Sequence, residues 1–101
     1  MARFAQILSP AGDAVIKVAA LTATTSSAEQ LVGSRRIFSV VADQDITIRF
    51  GLTGMGAADA TFYYIPAKQQ TTFDMGTNTH VRVFNLAASA ANIWILRLEG
   101  R

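Results

Sequence analysis

Hydrophobic and polar residues alternate in twos along most of this chain, the period that sends successive side chains to opposite faces of a β-strand. From Asp13 onward, Ala14, Ile16, Val18 and Ala20 share one parity and Asp13, Val15 and Lys17 the other, which predicts a half-buried strand ending near Thr22. Residues 36–42 are apolar on both parities, as a central strand covered on both faces would be. Asp43-Gln44-Asp45 then makes a tight connection. Ile46, Ile48 and Phe50 point one way beyond it and Thr47 and Arg49 the other, so a hairpin is expected. Phe62, Tyr63, Tyr64 and Ile65 form the next run, and Pro66, which lacks the amide hydrogen a ladder requires, assigns it to a sheet edge. Extended stretches follow at residues 69–73 and around Val81 and Val83. In the last, residues 92–99, Trp94, Leu96 and Leu98 oppose Ile93, Ile95, Arg97 and Glu99. The outer apolar half of that strand asks for a cover.

Turn residues punctuate these runs. Pro10 and Gly12 close a short opening strand or arm at residues 4–8, and the hydroxyl-rich residues 22–30 read as strand end and loop, with a one-turn helix from Ser27 as the alternative. Gly51, Gly54 and Gly56 make residues 51–59 the most flexible stretch and an exposed loop. Seven or eight short strands predict an all-β, antiparallel sandwich of jelly-roll or immunoglobulin-like layout, with a small β-barrel as runner-up. Residues 1–12 read as an N-terminal arm or short strand and residues 13–101 as the sandwich domain.

Composition narrows the function classes. At 101 residues the chain fits one domain, which buries only about two-thirds of its unfolded surface. Half of the residues are hydrophobic and 16% charged, an apolar share that points to surface meeting a partner. The net charge is +2 and the basic residues are scattered, with one pair at Arg35-Arg36, which does not fit a nucleic-acid binder. With no cysteine, neither disulfides nor thiolate metal sites can form. The opening residues are too short and too polar for a secretory core, and no membrane-spanning segment is expected.

Little material remains for catalysis. His80 is the sole histidine and, by strand alternation, faces away from Val81 and Val83, so a surface strand position is expected. No G-x-S-x-G elbow offers a nucleophile. Asp43 and Asp45 lack the further oxygen ligands of a calcium loop and read as turn residues bonding locally. Gly51, Gly54 and Gly56 are followed by no Lys-Ser/Thr and no helix, which argues against a phosphate cradle. The expectation is a non-enzyme with no cofactor, metal or small-molecule substrate.

The runs Leu21-Thr22-Ala23-Thr24-Thr25-Ser26-Ser27, Arg36-Ile37-Phe38-Ser39-Val40-Val41, Ile46-Thr47-Ile48-Arg49-Phe50-Gly51, Tyr64-Ile65-Pro66-Ala67, Thr72-Phe73-Asp74-Met75-Gly76, His80-Val81-Arg82-Val83 and Trp94-Ile95-Leu96 carry a likeness. Together they cover most of the chain, and they resemble small β-sandwich virion proteins of tailed bacteriophages. The resemblance implies a decoration or cement protein, made in the host cytoplasm, that binds the major capsid protein or other virion proteins on the capsid surface as a homo-oligomer, a trimer being favoured. It supplies no catalytic residues. The candidate partner-binding residues are Phe4, Ile7 and Leu8 in the arm, Arg35 and Arg36, Leu52 and Met55 in the glycine-rich loop, and Tyr63. A tail or fibre accessory that binds a receptor or carbohydrate through Tyr63 or Tyr64 is the alternative.

Overall fold

The computed structural model of the protein describes residues 9–99, with side chains from residue 15 to residue 98. Phe4, Ile7 and Leu8 lie outside the described residues. Eight strands follow one another without a helix: β1 (Ser9–Leu21), β2 (Gln30–Leu31), β3 (Ile37–Ala42), β4 (Ile46–Gly51), β5 (Tyr63–Ile65), β6 (Thr71–Asp74), β7 (His80–Asn85) and β8 (Ala91–Glu99). They form two antiparallel sheets, ordered β1-β8-β3-β6 (sheet A) and β2-β7-β4-β5 (sheet B). Strands one to four thus pair in reverse order with strands eight to five, and successive rungs of that strip go to alternate sheets. The result is an eight-stranded jelly roll. An immunoglobulin-like layout would need hairpins between consecutive strands, and here β4 and β5 alone pair that way.

The expected β3–β4 hairpin is therefore corrected. Residues 43–45 carry the chain from sheet A to sheet B, because β8 and β6 occupy both sides of β3 while β7 and β5 occupy both sides of β4. Alternation alone could not separate the two outcomes, since either one keeps Val40, Ala42, Ile46 and Ile48 in the core. The aspartate carboxylates also reach beyond the connection. Asp43 accepts from the Asn92 main-chain amide at 2.8 Å and from Asn92 Nδ2 at 3.0 Å, and Asp45 accepts from the Ala67 amide at 2.8 Å. Asn92 bonding holds the Asp43 carboxyl below the ordinary carboxylate value.

Pro10 and Gly12, expected in a turn, lie within β1, which pairs with β8 from Ser9↔Glu99 to Leu21↔Ala91. Its register slips between Pro10 and Val15 and again between Val18 and Leu21, so Pro10 still pairs with Leu98 while Gly12 lies in the irregular stretch that follows. Residues 22–29 form no helix; Ser26 makes an isolated bridge to Phe84. β5 is an edge strand, as Pro66 implied.

Between the sheets lie Phe38, Val40, Ala42, Ile93 and Ile95 from sheet A and Ile46, Ile48, Ile65, Val81 and Val83 from sheet B, with Val32 and Met75 closing one end. Phe38, Phe50 and Phe73 form a ring cluster with centroids 5.3–6.0 Å apart, and Tyr63 packs edge-on against Phe73 at 5.2 Å. Among the buried polar residues described, Asn85 carries the most bonds across elements. Asn85 is 0% exposed, donates to the carbonyls of Leu21 (3.0 Å) and Ser89 (2.8 Å), and accepts from the Ala87 amide (2.9 Å), tying β1 to the β7–β8 turn.

Candidate functional site

The outer faces of the two sheets differ in kind. On sheet B, Thr47, Arg49, His80, Arg82 and Phe84 point away from the core, and Arg49 stands directly opposite Arg82 in the ladder. Like charges so placed repel. Each guanidinium instead binds main-chain carbonyls. Arg49 Nη1 donates to the Ala57 carbonyl at 2.9 Å and its guanidinium lies 4.8 Å from the Phe62 ring centre, while Arg82 donates to the carbonyls of Ser27 (2.8 Å) and Met55 (3.0 Å). Thr47 Oγ1 donates to the Asp59 carbonyl, and the Ala58 amide donates to Ser26 Oγ. Residues 52–62 are thereby strapped across the face of their own sheet.

Glu29 fastens the near end of the strap. Its carboxylate accepts the Gly54 amide at 2.9 Å and the Thr53 hydroxyl at 3.2 Å, and His80 Nε2 stands 3.9 Å away. The Gly54 bond, with help from Thr53 and His80, holds the Glu29 carboxyl below its ordinary value. Asp59, at the far end, is lowered likewise by the hydroxyl and amide of Thr61. The loop expected to be the freest stretch is hydrogen-bonded at both ends and in the middle. Nothing in the sequence marked Glu29, Arg49 or Arg82 as clamps, because their partners are main-chain groups that alternation does not locate.

His80 faces away from Val81 and Val83, as alternation implied. It does lie on the outer face, but its side chain is only 14% exposed, with Nδ1 2.7 Å from Thr79 Oγ1 and Nε2 toward Glu29. Among the described residues no group of three or more His, Asp or Glu side chains is arranged to hold a metal ion.

Sheet A turns a different surface outward. The ladder places Val15 opposite Leu96, Lys17 opposite Trp94, Val41 opposite Trp94 and Ile37 opposite Leu98, so a largely apolar surface crosses β1, β8 and β3 on the side away from the core, interrupted on β3 by Ser39, which is buried opposite Leu96 and hydrogen-bonded to Thr72 at 2.9 Å. Trp94, Leu96, Val41 and Ile37 are half-buried, and Val15 is 61% exposed. The Lys17 ammonium lies 5.4 Å from the Trp94 ring centre. This is the outer half of the last strand that the sequence left in want of a cover.

The remaining candidates are dispersed. Arg35 and Arg36 are exposed in the β2–β3 turn, with the Arg35 amide bonded to the Gly76 carbonyl and the Arg36 carbonyl accepting the Met75 amide. The register puts this turn at the end of the sandwich where β1 begins, since Ile37 pairs with Leu98 and Leu98 with Pro10. Leu52 is exposed at the start of the strap and Met55 is half-buried within it. Tyr63 is 58% exposed at the β5 edge, and Tyr64 projects from the outer face of sheet B, its hydroxyl raised in pKa by desolvation and by nearby Asp45.

No family model matches the chain, and no curated protein matches it. Its fold is similar to that of a chain in a solved structure described as "Bacillus endospore appendages form a novel family of disulfide-linked pili", with a TM-score of 0.52 and 13% sequence identity over 90% of this chain and 85% of that one. At that identity the likeness concerns the fold: an all-β, two-sheet sandwich.

Proposed function

We propose that this protein is a structural subunit that attaches to a larger protein assembly and stabilises it, the bacteriophage capsid being the assembly to which the resemblance of its strand sequences points. The observation that carries this reading is the largely apolar outer face of sheet A. Sheet B covers its outer face with its own strap, whereas Val15, Trp94, Leu96, Val41 and Ile37 keep an apolar surface outward. An apolar surface rimmed by Lys17 and Thr72 suits a protein partner. The polar side chains of the opposite face are spent on holding the strap. Grip then comes from buried apolar area repeated over many copies, so that modest single-site affinity suffices.

A filament subunit is the second reading, favoured by the fold likeness to the endospore pilus chain. The present sequence holds no cysteine, so it has no means of making the disulfide link named there. Immunogold labelling of the particulate fraction from producing cells separates the readings. Gold on capsids is the expected result; gold along filaments favours the second reading, and protein found wholly in the soluble fraction overturns both. The variant Trp94→Ser/Leu96→Ser, folded by circular dichroism, is expected to leave the particles.

A further inference from the structure

Among the described residues, no strand pairs with the outer edge of β1 in sheet A. Ile16, Val18 and Leu21 face inward and pack against the core, yet each remains half-buried; among the described residues β1 has a ladder partner, β8, on one side only. β2, at the corresponding edge of the other sheet, spans two residues and shields little of that flank. The edge strands β2, β5 and β6 are two, three and four residues long, the short edges that resist pairing with another chain. β1 has thirteen. Its two register slips leave Val15 to Val18 as the regular stretch between them.

We propose that β1 of one copy pairs antiparallel with β1 of a second copy about a two-fold axis, joining two four-stranded sheets into one of eight. The argument for a second copy is self-complementarity. Across a two-fold normal to the sheet, opposed residues must share a face, so the axis falls on a residue. Lys17 on the axis would set two ammonium groups against each other, and Val15 or Val18 would centre the ladder at a register slip. Ile16 on the axis avoids both. Each Ile16 then meets its counterpart on the core side, covering side chains the single copy leaves half-buried. On the outer face each Lys17 lies opposite the other copy's Val15, its aliphatic stem over a valine that is 61% exposed in the single chain. This two-fold contact differs from the trimer favoured on sequence grounds, and it stands independently of which assembly the protein serves.

So short a strand pair buries far less than the ~1,600 Å² of a standard interface, so the pairing is weak in free solution and grows firm where copies are already held side by side. Substitutions at Val15 test it without touching the core. Val15→Glu faces Lys17 of the second copy and is expected to tighten the dimer, and Val15→Lys to loosen it, the two constants differing by about tenfold for two charge pairs per dimer. Sedimentation velocity over a concentration series reads the constants, and equal urea midpoints show that both variants fold. The register is tested by cysteines, since the chain has none of its own. A mixture of Val15→Cys and Lys17→Cys proteins is expected to cross-link on oxidation several times faster than either alone. Equal association of the glutamate and lysine variants, or cross-linking no faster in the mixture, overturns the proposal.

Discussion

Asn85 is the polar residue on which the most tertiary structure converges, and its replacement tests the account of the fold directly. It is fully buried, and its amide makes three hydrogen bonds of 2.8–3.0 Å to main-chain groups of Leu21, Ala87 and Ser89. Asn85→Leu keeps a side chain of similar length but removes all three. At about 1 kcal/mol for each bond, with some of the freed groups near enough to the surface to find water, the loss is about 3 kcal/mol. For a domain of this size unfolding with a urea slope of about 1.5 kcal/mol/M, the midpoint falls by about 2 M. Asn85→Asp adds a pH signature. Its carboxylate can accept from Ala87 but cannot donate to Leu21 or Ser89, and burial raises its pKa above the unfolded value. The proton is therefore held more tightly in the folded state, so the deficit relative to the parent grows as pH rises through the raised value and shrinks in acid. Urea titrations of both variants across the acid range measure this. A midpoint shift below about 0.5 M for Asn85→Leu, or no pH dependence in the gap for Asn85→Asp, would refute the assignment of Asn85 as the tie between β1 and the β7–β8 turn.

Three further predictions concern the strap. Arg82→Met preserves the aliphatic stem but frees the carbonyls of Ser27 and Met55; a loss of about 2 kcal/mol is expected, with faster amide exchange in residues 52–62, and unchanged exchange there would count against the clamp. Gly56→Ala would place its Cβ 2.8 Å from Arg49 Nη1, the atom bonded to the Ala57 carbonyl, so strap exchange should rise here too while core amides stay protected. Glu29 has a lowered carboxyl, so its contribution is present above the ordinary value of 4.5 and is lost as pH falls through the lowered one. Exchange at the Gly54 amide should therefore accelerate in acid beyond its intrinsic rate, and Glu29→Gln should abolish that acid-dependent step.

The strap and the apolar surface give the molecule a definite polarity. One outer face is closed by the chain's own backbone through Arg49, Arg82 and Glu29, and the other is left apolar around Trp94. Had residues 52–62 been a free loop, both faces would present unpaired surface, and neither would stand out as the place of attachment.

By itself the sequence determined the strand faces. Alternation put Ile46 and Ile48 inward and Thr47 and Arg49 outward, the double parity of residues 36–42 placed β3 at the centre of a sheet, and Pro66 marked an edge, because the strand period is a local property of consecutive residues. Tertiary structure alone decided which strands meet. Residues 43–45 could close a hairpin or cross between layers with the same side chains buried, and the choice fell to competition among strands distant in sequence for the two edges of β3 and β4. The same holds for Arg49, Arg82, Glu29, Asp43 and Asn85. Their partners are main-chain groups or side chains brought close by the roll, and no pattern of side chains along the chain records where a distant carbonyl or amide will lie.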